Sequence, residues 1–206
     1  MAKGGQVGLK RTYLAKLDEN KKLQTGDKGL TEDGLYMSNA LDQGTASANI
    51  TNLGAAGTAK YGDNGMVGQS KSKSFPQVAG VWNALPFDVK QKLVGRESDG
   101  KGGYVESTET QYAALIVETE TLDRQNSIYY AFSSGEFFEP ASNIQTDNQT
   151  SQEVTDALTY QSFGDDRWNG QGIKIFFSGD EGFNKDDMLK EVMGGYAASK
   201  APAEGE

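Results

Sequence analysis

The sequence predicts a mainly β fold: two packed β-sheets, in a sandwich, with one short flanking α-helix and a second short helix near the C-terminus. Three observations predict it. Short segments rich in Val, Ile, Thr, Tyr and Phe recur along the chain with alternating polarity. Glycine is abundant and proline scarce, 26 against 4, as in a protein of strands joined by turns. Aromatic residues make up 10% of the chain, more than a disordered segment carries, and 206 residues suffice to bury one core.

The elements follow in order. Residues 1–9 read as a flexible, Gly-rich N-terminal arm, and one domain is expected over 10–196. Residues 10–18 (KRTYLAKLD) alternate as a strand, the run Glu32-Asp33-Gly34 is a turn, and 46–53 (ASANITNL) form a second strand. Residues 54–74 are polar and Gly-rich and read as a long loop; a loop of this length inside a domain is functional or mobile. A short strand is expected over 75–82.

The helix signal is clearest at Pro86 to Gly95. Pro86 suits a first helical position, Leu85, Val89 and Leu93 recur every four residues, and Gly95 stands where a C-terminal cap belongs. Asp88, Lys90, Gln91 and Lys92 would face water. Strands are then expected at 111–121, 127–133 and 137–146, the last two joined tightly at Gly135-Glu136, and at 153–163 and 173–178. Asn184 caps a second helix with Asp186 and Asp187 in its first turn and an apolar stripe of Met188, Leu189, Val192 and Met193. Gly194-Gly195 ends it, and 197–206 read as a flexible tail.

Composition narrows function. There is no His and no Cys, which removes the commonest general base, the commonest metal ligand, every His-dependent triad and every thiolate site. A catalytic role is therefore not expected, and neither a cofactor nor a metal is. No apolar run is long enough to span a membrane. The first eight residues lack a signal-peptide core, so the chain is expected to stay in the cytosol or leave by another route. The net charge of −9 opposes a grip on nucleic-acid phosphates. It is unevenly spread: residues 1–28 carry seven Lys/Arg against three acids, while 102–206 carry six against nineteen. Complementary faces of this kind suit self-contact in an assembly.

Motifs for chemistry fail on inspection. Residues 95–102 (GRESDGKG) approach a phosphate loop, but Gly102 replaces the Mg²⁺-binding hydroxyl and the run follows a helix instead of opening one. Residues 165–176 evoke a Ca²⁺ loop, but Arg167 takes a ligand position and Phe176 the place of the bidentate Glu. Glu118 and Glu120 share one face of a strand, as paired acids in a glycosidase could, though a solvated or assembly-facing strand fits so acidic a chain better. The sequons at Asn49 and Asn148 carry little weight without a signal peptide.

Several segments, taken in order, resemble a known family: NALPFDVKQKLVG (83–95), GGY (102–104), IQTDN (144–148), DALT (156–159), GFN (182–184) and GGY (194–196). This set resembles the major tail proteins, or tail tube proteins, of long-tailed phages of Gram-positive bacteria, over most of residues 10–196. The resemblance implies packed sheets with a flanking helix, carried here by Pro86, Val89 and Leu93. It implies a structural virion protein, made in the host cytoplasm, that forms homo-hexameric rings stacked into a tube. DNA would pass through the tube without specific binding, other tail proteins would meet its ends, and no membrane would be involved.

A long loop bridges rings in such families. Here it would be 54–74, with Lys60, Tyr61, Lys71 and Lys73 as inter-ring candidates. Glu118, Glu120 and Asp156 are candidates for acidic residues facing the lumen or a neighbouring subunit. Two other readings stay open: a different phage component (tail terminator, baseplate or capsid decoration protein) and a carbohydrate-binding β-sandwich.

Overall fold

The computed structural model describes residues 5–39, 43–54, 56–70, 72–144, 146 and 154–197. The strands in chain order are β1 (Gln6–Lys16), β2 (Leu35–Met37), β3 (Thr45–Thr51), β4 (Thr58–Gly62), β5 (Gly65–Ser70), β6 (Gln77–Trp82), β7 (Arg96–Ser98), β8 (Tyr104–Glu106), β9 (Ala113–Thr121), β10 (Ser127–Phe138), β11 (Asp156–Ser162) and β12 (Lys174–Phe177). Helix α1 (Phe87–Val94) lies between β6 and β7, and α2 (Lys185–Val192) follows β12. The fold is mainly β, as expected.

Eight strands form one antiparallel sheet in the order β2-β1-β9-β10-β11-β6-β3, with β12 also paired to β10. The pairs β4–β5 and β7–β8 are separate hairpins. The packed layers are the two ends of the large sheet, which curls round on itself. Trp82 on β6 donates its indole N–H to Thr12 Oγ1 on β1 at 2.9 Å, and Thr12 lies 2.9 Å from Thr45 Oγ1 on β3. Leu14, Trp82, Leu115, Phe132, Leu158 and Tyr160 fill the interior of the roll, and α1 inserts Val89 and Leu93 into the same core. The outer face of β1, β9 and β10 presents Tyr13, Ala15, Ala114, Ile116 and Ala131, covered by Met188, Leu189 and Val192 of α2. Strand β9 is thus buried on both faces, which is why its first residues (AALIV) read as a continuous apolar run and not as an alternation.

Several expectations are corrected. Strand β1 starts at Gln6, so the second half of the expected arm is paired sheet, opposite Thr121 and Glu120 of β9. The long loop is mostly the β4–β5 hairpin; its turn residues Asp63 and Asn64 have φ of 49° and 63°, the left-handed backbone that an Asp/Asn-Gly turn adopts. Residues 127–138 make one strand, bent by a register shift between Phe132 and Gly135, where two strands and a connection were expected. Gly135 is needed there: a Cβ would fall 2.4 Å from the Tyr160 ring and 2.3 Å from Gln161 O. The strand ends at Phe138 and does not continue to 146.

Helix α1 ends as anticipated, with Gly95 in the left-handed region at φ 78°. Pro86, however, is the N-cap, one residue before the helix, and Gln91 is buried instead of solvated, accepting from Arg96 at 3.1 Å. On α2 the cap and stripe are as expected: Asn184 Oδ1 accepts from the N–H groups of Asp186 and Asp187, and the four stripe residues are buried.

Candidate assembly surfaces

The three candidate acids occupy different settings. Glu118 and Glu120 do share a face, and Lys10 bridges them at 3.3 and 3.1 Å. Glu118 is nevertheless sealed within the chain, with its side chain 2% exposed. Tyr13 Oη donates to it at 2.6 Å and Ser127 Oγ at 2.7 Å. Burial pushes the Glu118 carboxyl up, but these donors and the Lys10 ammonium outweigh it and hold it below the usual range. The same contact acts with burial to raise the Tyr13 phenol. Glu120, partly exposed, is the only one of this pair that presents charge to solvent.

Asp156 is a fastener for α1. One oxygen accepts from the N–H of Leu85 at 3.0 Å and the other from Lys90 at 2.8 Å. Lys90 also reaches Glu139 at 2.8 Å, and Glu139 reaches Arg96 at 2.8 Å. Burial opposes the charge on Lys90, but its two carboxylates raise its pKa overall; Lys90, against burial, and Arg96 lower that of Glu139. This chain of ions ties the helix to the start of β11 and the end of β10. Val89 and Leu93 of the flanking helix are core residues, 5% and 1% exposed, and Pro86 is exposed.

Of the loop candidates, Lys60 and Tyr61 lie on the β4–β5 hairpin. Tyr61 is 77% exposed and pairs across the ribbon with Met66, 57% exposed; Val67 is 67% exposed. Lys73 is elsewhere, exposed but laid over Gly170, next to Ser74, whose N–H is bound by Gln171 at 3.1 Å. Lys71 lies outside the described residues. The hairpin therefore carries exposed apolar residues on either side of its Asp63-Asn64 turn, where the sequence emphasised its lysines.

A second exposed apolar group lies at α1, where Phe87 packs edge-on against Tyr104 of β8 at 5.3 Å, with Val105 next to Tyr104 68% exposed. Its signal was present, since Phe87 falls outside the Leu85, Val89, Leu93 stripe. Among the described residues, no group of acids is arranged to hold a metal ion, and no helix is long and apolar enough to cross a membrane.

A rolled sheet whose outward features are an apolar hairpin, an aromatic patch and open strand edges belongs to the class of proteins that act through their surfaces. The family model for phage tail tube proteins matches residues 1–201, and this chain belongs to that family. It is a structural component of the virion tail, built with further subunits and other tail proteins into a tube. No match is found among curated proteins.

Proposed function

We propose that six copies close into a ring, that rings stack into the tube, and that the β4–β5 hairpin bridges one ring to the next. The observation that carries this is the hairpin itself. Among the described residues its strands pair only with each other, and Tyr61, Met66 and Val67 are left in water. Exposed apolar groups clustered on one projection mark an interaction site. The edge of β2 not paired to β1 supplies a lateral contact; unpaired edges are a hazard in a monomer, and closure into a ring removes it.

The excess of acid in residues 102–206 supports a lumen that repels phosphates, so that DNA passes without sticking. Glu120 is the best placed of the candidate acids for that role, because Glu118 and Asp156 spend their charge inside the subunit. Neither cofactor nor catalysis enters this reading.

Electron microscopy of the concentrated protein tests it. Hexameric rings about 100 Å across, stacked into tubes, are expected. Replacing residues 58–70 by a short Gly-Ser link leaves a folded subunit that forms rings without stacking. Normal tubes from that variant would remove the hairpin from the bridge.

A further inference from the structure

The curled sheet does not close completely, and the gap has a definite chemistry. Among the described residues, β3 pairs only with β6, and β1 before Thr12 pairs only with β9. Near the contact between Thr12 and Thr45 the two edges meet; beyond it they diverge. Between them lies a cleft of about 330 Å³. Leu9 forms one wall, Ala48, Ile50 and Leu53 the other, and Val117 and Tyr130 the floor, while Gln6, which donates to Tyr130 Oη at 2.6 Å, and Thr119, which donates to Gly8 O, make one end polar. Leu9, Ala48, Ile50 and Tyr130 pack directly on the core, so the cleft is an extension of the core that reaches solvent. Its volume is at the lower end of the roughly 300–1,000 Å³ of ligand pockets, enough for a few side chains and too small for a helix.

We propose that this cleft is the receptor for the tip of the β4–β5 hairpin of a second copy, with Tyr61 and Met66 seated against Ile50, Leu53 and Tyr130. The inference rests on the hairpin acting as a bridge and names what it bridges to. Tyr61 and Met66 are a direct cross-strand pair, so both project from one face of the ribbon. The cleft offers Val117 and Tyr130 as an apolar floor between two strand edges, with room for the two side chains of that pair.

The hairpin does not fill the cleft of its own chain. Tyr61 and Met66 are 77% and 57% exposed, and none of the described residues lining the cleft comes from 58–70. A donor tip and an acceptor cleft at different places on one chain make a head-to-tail contact, which repeats without limit or closes, as a tube requires.

The absence of cysteine allows a clean test. A Met66→Cys chain and a Leu53→Cys chain are mixed and mildly oxidised. A covalent dimer is expected from the mixture, and none from either chain alone or from Met66→Cys mixed with Glu181→Cys. Independently, Leu53→Glu places a charge on the rim at an exposed position, which leaves the melting temperature unchanged. It is expected to raise the concentration needed for stacking about tenfold or more. Stacking by Leu53→Glu at the wild-type concentration, or no preference for the 66–53 crosslink, would overturn the cleft as receptor while leaving the hairpin as bridge. Normal tubes after removal of the hairpin would instead overturn the bridge itself.

Discussion

Phe132 and Tyr61 are both large aromatic residues on antiparallel strands, and water meets them in opposite ways: Phe132 is 0% exposed and Tyr61 77%. Phe132 sits on β10, which has strands on both edges, and its side chain lies in the interior of the roll. Tyr61 sits on a ribbon of two strands, which has no second layer to bury it. An isolated two-stranded ribbon is marginal in water. The body of the subunit holds its stability within itself, whereas in the proposed tube the hairpin gains its burial from another molecule. The two regions should therefore respond differently to the same kind of change.

The largest effect on the subunit is expected in the roll. Phe132→Ala empties the space against Tyr160 and should lower unfolding free energy by about 3–5 kcal/mol in urea titration. Next comes the ion chain at α1. Lys90→Met leaves Asp156 without its cation and Glu139 with Arg96 alone, at sites that are mostly buried, and should cost about 1–3 kcal/mol; a loss as small as that of an exposed pair would mean that α1 is held by packing alone.

Asp165 sharpens the same point through pH. Burial raises its carboxyl, but hydrogen bonds from Arg167 and Ser133 overcome this and hold it at about 2. A carboxyl depressed in the folded state stabilises above its unfolded value, about 3.9, and that contribution disappears as pH falls toward 2. Stability of the wild type should drop through this window, and Asp165→Asn should be weaker at pH 7 and flatter below pH 4.

Asn184→Ala removes the acceptor for two N–H groups at the start of α2 and should cost about 1 kcal/mol, read as a small fall in melting temperature. The smallest effect on stability belongs to the hairpin. Tyr61→Ser with Met66→Ser should change unfolding by less than about 0.5 kcal/mol, as surface changes do, yet prevent stacking in electron micrographs. A large loss of subunit stability from this pair would erase the contrast between the two regions.

The hairpin also shows where reading the chain stopped short. Residues 54–74 look structureless because glycine and polar residues dominate and no apolar alternation marks a core-facing strand. The Asp63-Asn64-Gly65 turn was the available sign of a hairpin. Lysines drew attention there because charge is visible in a sequence, while the exposure of Met66 and Val67 depends on what does not pack above them. Strand β10 reads as two strands for a related reason: a glycine in a strand reads as a turn, and only the ring of Tyr160 against it explains a bend without a break.

The acids divide in the same way. That Glu118 and Glu120 share a face follows from the two-residue period of a strand. That one of them is buried under Tyr13 and Ser127 while the other remains partly open depends on where β1 and β10 lie.

What the sequence alone determined is whatever local periodicity and capping express. It determined the mainly β character, both helices with their apolar stripes, the Gly95 and Asn184 caps, and, through ordered motifs, the tail tube family. These depend on neighbours within a few positions along the chain. Only the tertiary structure decided that the strands form one curled sheet instead of two separate ones, that Asp156 fastens a helix, and that an apolar cleft opens between β1 and β3. Each of these depends on residues far apart in the chain, Thr12 with Trp82 or Lys90 with Asp156. Such pairings are set by how the sheet twists and curls to cover its core, which no stretch of sequence records by itself.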